Sequence, residues 1–154
     1  MKIIGETFFV DTNIFVAVTD RSRSSHSAAI RLFNEMPGTG AHLAWSGQVV
    51  REYLVVATRP RERNGLGLST ELALKNVDLL SKRLVLIDES TQTNLILKSL
   101  VAKHSLSGKR IHDANIAATM VAGGLTHLIS DDTTDYRVFS AIQTFSTADL
   151  NQIL

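Results

Sequence analysis

Five acids of this chain, Asp11, Glu52, Asp113, Asp132 and Asp135, stand where carboxylates do chemistry. Asp11 lies in the run Phe8-Phe9-Val10-Asp11-Thr12-Asn13-Ile14-Phe15-Val16. There an apolar strand ends on an acid and passes at once into a second apolar stretch. A carboxylate at the end of a buried strand is costly unless something compensates it. A metal ion compensates it and accounts for the other acids as well. If several carboxylates converge, like charges raise each other's pKa. Mg²⁺, or Mn²⁺ in its place, relieves that crowding with oxygen ligands and retained water. Such ions activate water and stabilise in-line attack on phosphorus, which is nuclease chemistry.

Each acid also has an ordinary explanation. Asp11 can cap the short helix that follows it. Glu52, between Arg51 and Tyr53, can be a solvent-facing helix residue. Asp113 can be a first-turn acid favoured by the helix dipole. Asp132 and Asp135 can be turn-forming loop acids. The ordered set says more than any member. Arg59, Arg61 and Arg63 fall close together and are candidate phosphate contacts, or else simply solvated. Arg21 and Arg23 read as solvated.

The elements that must position these residues alternate. Phe8, Phe9 and Val10 mark a first buried strand over 7–10, with a short helix through Val18. Ala28, Ala29, Leu32, Phe33 and Met36 have helical spacing over 25–36, ended by Pro37-Gly38. Leu43-Ala44-Trp45 is a second strand. Ser46 is placed to cap a helix through Ala57, and a polar loop covers 61–67. Ser69 caps a helix over 70–81. Leu84-Val85-Leu86-Ile87 is a third strand, and a segment from Asp88 to Thr91 caps a helix to His104. After a break at Ser107-Gly108, an alanine-rich helix over 112–122 ends at Gly123-Gly124. His127-Leu128-Ile129 is a fourth strand and Thr144-Phe145 a weak fifth. Such alternation predicts an α/β fold, a parallel sheet with helices on both faces. Its ligand site lies beyond the carboxyl ends of the strands, where Asp11 and residues 130–135 fall.

The chain has 154 residues, the size of a single domain spanning 1–154. Its 44% hydrophobic and 20% charged residues are ordinary for a soluble protein. No apolar run is long enough to cross a bilayer, and no signal peptide is apparent. The absence of cysteine excludes disulfides, zinc–thiolate sites and cysteine nucleophiles. A cytoplasmic location is the expectation. The net charge of +1 does not by itself indicate nucleic-acid binding.

Four segments together resemble the PIN-domain proteins, specifically the VapC toxins of bacterial toxin–antitoxin pairs. They are Val10-Asp11-Thr12-Asn13, Val50-Arg51-Glu52-Tyr53-Leu54, His112-Asp113-Ala114-Asn115-Ile116-Ala117-Ala118-Thr119 and Leu128-Ile129-Ser130-Asp131-Asp132-Thr133-Thr134-Asp135-Tyr136. Their order and spacing span nearly the whole chain. The resemblance implies a three-layer α/β/α fold on a central parallel sheet of about five strands. It also implies a Mg²⁺-dependent endoribonuclease, a small antitoxin whose tail enters the active cleft, and a homodimer. Asp11, Glu52 and Asp113 map onto three of the family's acids. For the fourth, Asp132 ranks first and Asp135 second, and Asp131 substitutes if the loop shifts by one. Tyr136 stands where Phe is commoner. Asp11 and Asp113 would ligate the ion most directly, with Glu52 and Asp132 acting through water or at a second site. Thr12, Asn13 and Ser130 are expected to orient carboxylates by hydrogen bonds, although Thr12 and Asn13 can also simply start a helix. His112 reads as structural rather than as a general base.

Two other readings compete. A non-catalytic RNA- or partner-binding module on the same fold would not need the full set of acids. A haloacid-dehalogenase-type phosphatase would want an acid where Asn13 stands and a lysine motif that does not follow. An EF-hand over 131–135 fails for want of the loop glycine and terminal Glu.

Overall fold

The sheet at the centre of the computed structural model, which describes residues 3–154, is parallel throughout, with strand order β3-β2-β1-β4-β5. The strands are β1 (Thr7–Val10), β2 (His42–Ser46), β3 (Leu84–Ile87), β4 (His127–Ile129) and β5 (Gln143–Phe145). Seven helices connect them: α1 (Thr12–Thr19), α2 (His26–Glu35), α3 (Gly47–Thr58), α4 (Thr70–Ser81), α5 (Thr91–His104), α6 (Arg110–Ala122) and α7 (Thr133–Tyr136). Short 3₁₀ turns at Met36–Thr39, Arg61–Arg63 and Thr147–Gln152 complete the path.

β1 is buried on both faces, so its sequence is continuously apolar rather than alternating. Phe8, Phe9 and Val10 are fully enclosed. From β1 the chain moves outward to β2 and β3, then returns past β1 to β4 and β5. Right-handed crossovers therefore place α1–α4 on one face and α5–α7 on the other. The packing agrees: α1 meets α2 and α3, and α3 meets α4, while α6 meets α5 and α7. This is the expected α/β/α layering, with its direction of travel reversing between β1 and β4. The reversal opens a crevice at the carboxyl ends of exactly those two strands, where open α/β sheets bind ligands.

Two packing features hold the crevice still. On the first face, Phe15 of α1 lies 5.2 Å from Trp45 of β2 and 5.6 Å from Phe33 of α2, ring centre to ring centre. Each fully buried side chain of this size contributes roughly 1.5–3 kcal/mol. On the other face, Ala114, Ala117 and Ala118 let α6 lie close on the sheet, and all three are buried. Helix α6 is therefore seated by small residues, and a larger side chain there would overpack it.

The structure also revises details. The helix expected over 112–122 begins at Arg110, and the one expected over 25–36 passes into a 3₁₀ turn at Met36. Ser46 does occupy the N-cap position just before α3, but its hydroxyl accepts no capping hydrogen bond and is buried without a partner. Ser69 does cap α4, accepting from the Leu72 N–H at 3.2 Å. Ser90 caps α5 through a reciprocal pair with Thr93.

Candidate functional site

Asp11 follows β1 directly and is 7% exposed. It caps α1, with Oδ1 accepting from the Thr12 N–H at 2.7 Å. Its other oxygen is crowded with donors. Oδ2 accepts from Ser130 Oγ at 2.7 Å, Tyr136 OH at 3.2 Å and Asn13 Nδ2 at 3.3 Å. The ordinary reading as a helix cap and the reading as a site acid are thus both realised in one side chain. Burial pushes its pKa up to about 6, against the hydrogen bonds from Ser130 and the Thr12 N–H, and the charge of Glu52 adds to the rise. Among the described residues no cation pairs with it.

Glu52 reaches the same place from α3. Thr12 Oγ1 donates to its Oε2 and Gln48 Nε2 to its Oε1, both at 2.7 Å. Gln48 is fixed in turn by Asn115 Nδ2 at 2.6 Å and by its own bond to the His112 carbonyl at 3.0 Å. Glu52 is therefore aimed by a chain of contacts that ties α3 to α6. Asp113 comes from the first turn of α6. Its pKa is also raised to about 6, chiefly by burial and then by the charge of Asp135, with Glu52 and Asp132 adding to it. Arg110, whose Nε lies 3.3 Å from Asp113 Oδ2, opposes that rise.

The three acids after β4 part company. Asp132 accepts from Asn13 Nδ2 at 3.1 Å, and its N–H donates to Ser130 Oγ at 3.1 Å. Asp135 turns to Arg110, at 3.6 Å from Nη1 to its Oδ1 and 2.6 Å from Nη2 to its carbonyl. Asp131 faces elsewhere, its Oδ1 accepting from both the N–H and the hydroxyl of Thr147 at 2.8 Å. A cleft of about 290 Å³ is shared by Asp11, Glu52, Asp113 and Asp132, with Arg23 and Asn64 also on its wall.

Thr12, Asn13 and Ser130 all hydrogen-bond to these acids. Sequence patterns did not single out the parts played by Gln48, Asn115, Tyr136 and Arg110. Asn115 and Tyr136 reach partners far along the chain, whereas Gln48 to Glu52 and Arg110 to Asp113 are helix neighbours whose spacing was the available signal. Arg23, which read as solvated, lines the cleft while pairing with Asp20 at 3.5 Å. The arginines at 59–63 stand in different surroundings. Arg59 lines a groove beside the cleft, Arg61 lines a hollow with Asp20 and Arg21, and Arg63 is exposed. His112 is exposed, 3.9 Å from Glu52.

Among the described residues no three acid or histidine side chains are gathered closely enough to form a closed metal-binding set. The cleft instead presents hard oxygen donors in an open arrangement. That suits a cation which keeps several waters and needs only one or two direct carboxylates, as Mg²⁺ does. The donor chemistry therefore fits. Two acids with raised pKa and a shortage of cationic partners are what a divalent ion would relieve.

Among solved structures, the chain is similar to a chain of VapBC2 from Rickettsia felis, in a complex bound to a DNA fragment from their promoter. That match has 17% identity and a TM-score of 0.67, and covers 91% of this chain and 98% of that one. It is similar as well to a chain of DNA-bound VapBC from Salmonella typhimurium, with 18% identity, a TM-score of 0.67 and coverage of 92% and 98%. A third is VapC20 of Mycobacterium tuberculosis, a Sarcin-Ricin loop cleaving toxin, with 18% identity, a TM-score of 0.60 and coverage of 79% and 86%. At these identities the likeness is one of fold. No curated protein matches the sequence significantly. The PIN domain family model matches residues 8–139, which include Asp11, Glu52, Asp113 and Asp132, so the chain belongs to the PIN-domain family.

Proposed function

We propose that this protein is a Mg²⁺-dependent endoribonuclease, the toxin of a VapBC-type pair. The observation that carries the proposal is the convergence of Asp11, Glu52, Asp113 and Asp132 on one cleft at the point where the sheet reverses. The structural likeness to VapBC chains and to an RNA-cleaving toxin supports the choice of RNA and of an antitoxin partner. A cytoplasmic location follows, because RNA and antitoxin would both be met there. A homodimer is part of the same proposal.

Asp11 and Asp113 would hold the cation most directly, with Glu52 and Asp132 holding its water. When bound, Mg²⁺ supplies charge stabilisation at the scissile phosphate and makes water more acidic. The chain's own residues do the rest. Ser130, Tyr136 and Asn13 engage Oδ2 of Asp11, which leaves Oδ1, with its single Thr12 donor, as the freer oxygen. Thr12 and Gln48 fix the plane of Glu52. Arg110 keeps Asp113 and Asp135 from repelling one another outward. Below about pH 6 Asp11 and Asp113 retain protons that cation binding must displace.

The test is cleavage of total RNA by the wild type beside Asp11→Asn, in Mg²⁺ and in EDTA, with sequencing of the RNA ends. New 5′ ends made only by the wild type in Mg²⁺ support the reading. Ends made equally by the variant, or in EDTA, refute it.

A further inference from the structure

Beside the acidic cleft lies a larger groove, of about 490 Å³, which of the four acids only Glu52 lines. The two hollows share Thr12, Glu52 and Val56. Helix α3 forms the common wall and presents two parallel stripes at four-residue spacing. Gln48, Glu52 and Val56 make one stripe. Arg51 and Val55 make the other, continued by Arg59 just past the end of the helix. Val55 is 53% exposed, an apolar residue between two cations. The Arg51 side chain is 68% exposed and reaches Glu89 only at 3.5 Å, while Arg59 pairs with no acid among the described residues. His112 stands on the same groove with its side chain 69% exposed.

The position of Arg59 is not left to chance. The loop behind it folds back on the last turn of α3, with the N–H of Leu66 donating to the Val56 carbonyl and that of Leu68 to Ala57, both at 2.9 Å. Gly65 makes this possible, since a Cβ there would fall 1.9 Å from the Arg59 carbonyl oxygen.

We propose that this groove is a nucleotide subsite. It takes the base next to the scissile phosphate of a single-stranded RNA against Val55 and Val56, with the His112 ring as a stacking face and Arg51 and Arg59 on the flanking phosphates. The inference rests on the nuclease reading above and adds to it where the neighbouring nucleotide sits. Continuity argues for this occupant. A strand whose phosphate lies among the acids must leave the cleft, and the groove opens from it across Thr12 and Glu52. Charge argues for it too, because two poorly partnered arginines flank the apolar floor. Splayed bases of single-stranded RNA are commonly held by such a pairing of a ring or apolar face with guanidinium groups.

Binding tests the subsite without cleavage. A short fluorescent single-stranded oligoribonucleotide is titrated against Asp11→Asn, and then against the same protein carrying Val55→Asp or Arg59→Gln. Both added changes are on exposed side chains, and thermal melting checks that the fold is kept. Each is expected to weaken binding about tenfold. An abasic residue beside the scissile position should weaken binding similarly to Asp11→Asn alone, with no further loss when Val55→Asp is present. Unchanged affinity in both variants, or an abasic penalty that Val55→Asp leaves intact, overturns the proposal. So does a loss confined to binding of an antitoxin-tail peptide, which would assign the groove to a protein partner. Cleavage is scored separately. A wild type that binds through the groove and cuts nothing sinks only the nuclease reading. A wild type that cuts RNA while the variants bind as well as their parent sinks only the subsite.

Discussion

The acidic cleft and the carboxyl-terminal turn behind it use the same side chain to opposite effect. Asp11 accepts four hydrogen bonds and still has its pKa lifted to about 6, because burial outweighs all of them. Asp149 accepts from the N–H of Ser146 at 2.8 Å and its hydroxyl at 2.6 Å, near solvent, and its pKa falls below the usual range through those bonds. Donors alone do not decide a carboxylate's charge. What separates the regions is burial and the company of other acids. The turn ties the chain down, whereas the cleft holds negative charge under tension.

The largest expected effect tests that tension directly. Asp11→Asn or Asp113→Asn should lower RNA cleavage by at least about a hundredfold with the fold retained, read by initial rates and circular dichroism. Either variant keeping full Mg²⁺-dependent activity would make the cleft an ordinary structural feature. Next comes the donor set. Ser130→Ala should cost roughly ten- to a hundredfold in metal affinity or activity, since it removes the shortest of three bonds to Oδ2 of Asp11 and unties Asp132. Calorimetry with Mn²⁺ would show it.

The pH dependence is a smaller effect with a definite sign. Asp11 and Asp113 titrate near 6 when folded against 3.8 when unfolded, so the folded protein binds more protons between those values. Their contribution to metal-free stability is full below 3.8 and is lost as pH rises through about 6. Added Mg²⁺ displaces the protons, so its increase in Tm should grow over the same window. A Mg²⁺ effect that is flat across it would erase the contrast. The smallest effect belongs to the turn. Asp131→Ala removes two bonds to Thr147 and should cost about 0.5–1.5 kcal/mol of stability in urea unfolding. Cleavage should stay within about twofold.

That last pair shows what a linear chain reveals. The acids of the cleft were legible where local context was strong: Asp11 after Phe8-Phe9-Val10, and Asp113 at the head of an alanine-rich helix. The strands were legible because buried parallel strands are runs of apolar residues. Asp132 ranked above Asp131 only through the family resemblance, since local context does not tell apart two acids that follow the same strand. Their roles are set by Thr147 on one side and Asn13 on the other, and neither is a neighbour in sequence. Tyr136 is 125 positions from Asp11 and Asn115 is 67 from Gln48, so no periodicity announces those bonds. The start of helix α6 at Arg110 was not legible because Lys109, which precedes it, has no capping side chain to mark it. Helix α7, four residues long, is too short to carry a pattern.

Asn13 carries a consequence for the chemical durability of the molecule. Its amide nitrogen lies within hydrogen-bond reach of Asp11, Ser130 and Asp132 at once, while its oxygen takes the N–H of Asp131. Hydrolysis of that one amide to an acid would alter shape hardly at all. It would nonetheless turn the shared donor into an acceptor and set another anion amid the four already there. Deamidation of Asn13 would thus be expected to silence the site, and the added negative charge would show the damage in isoelectric focusing while the overall size stayed the same.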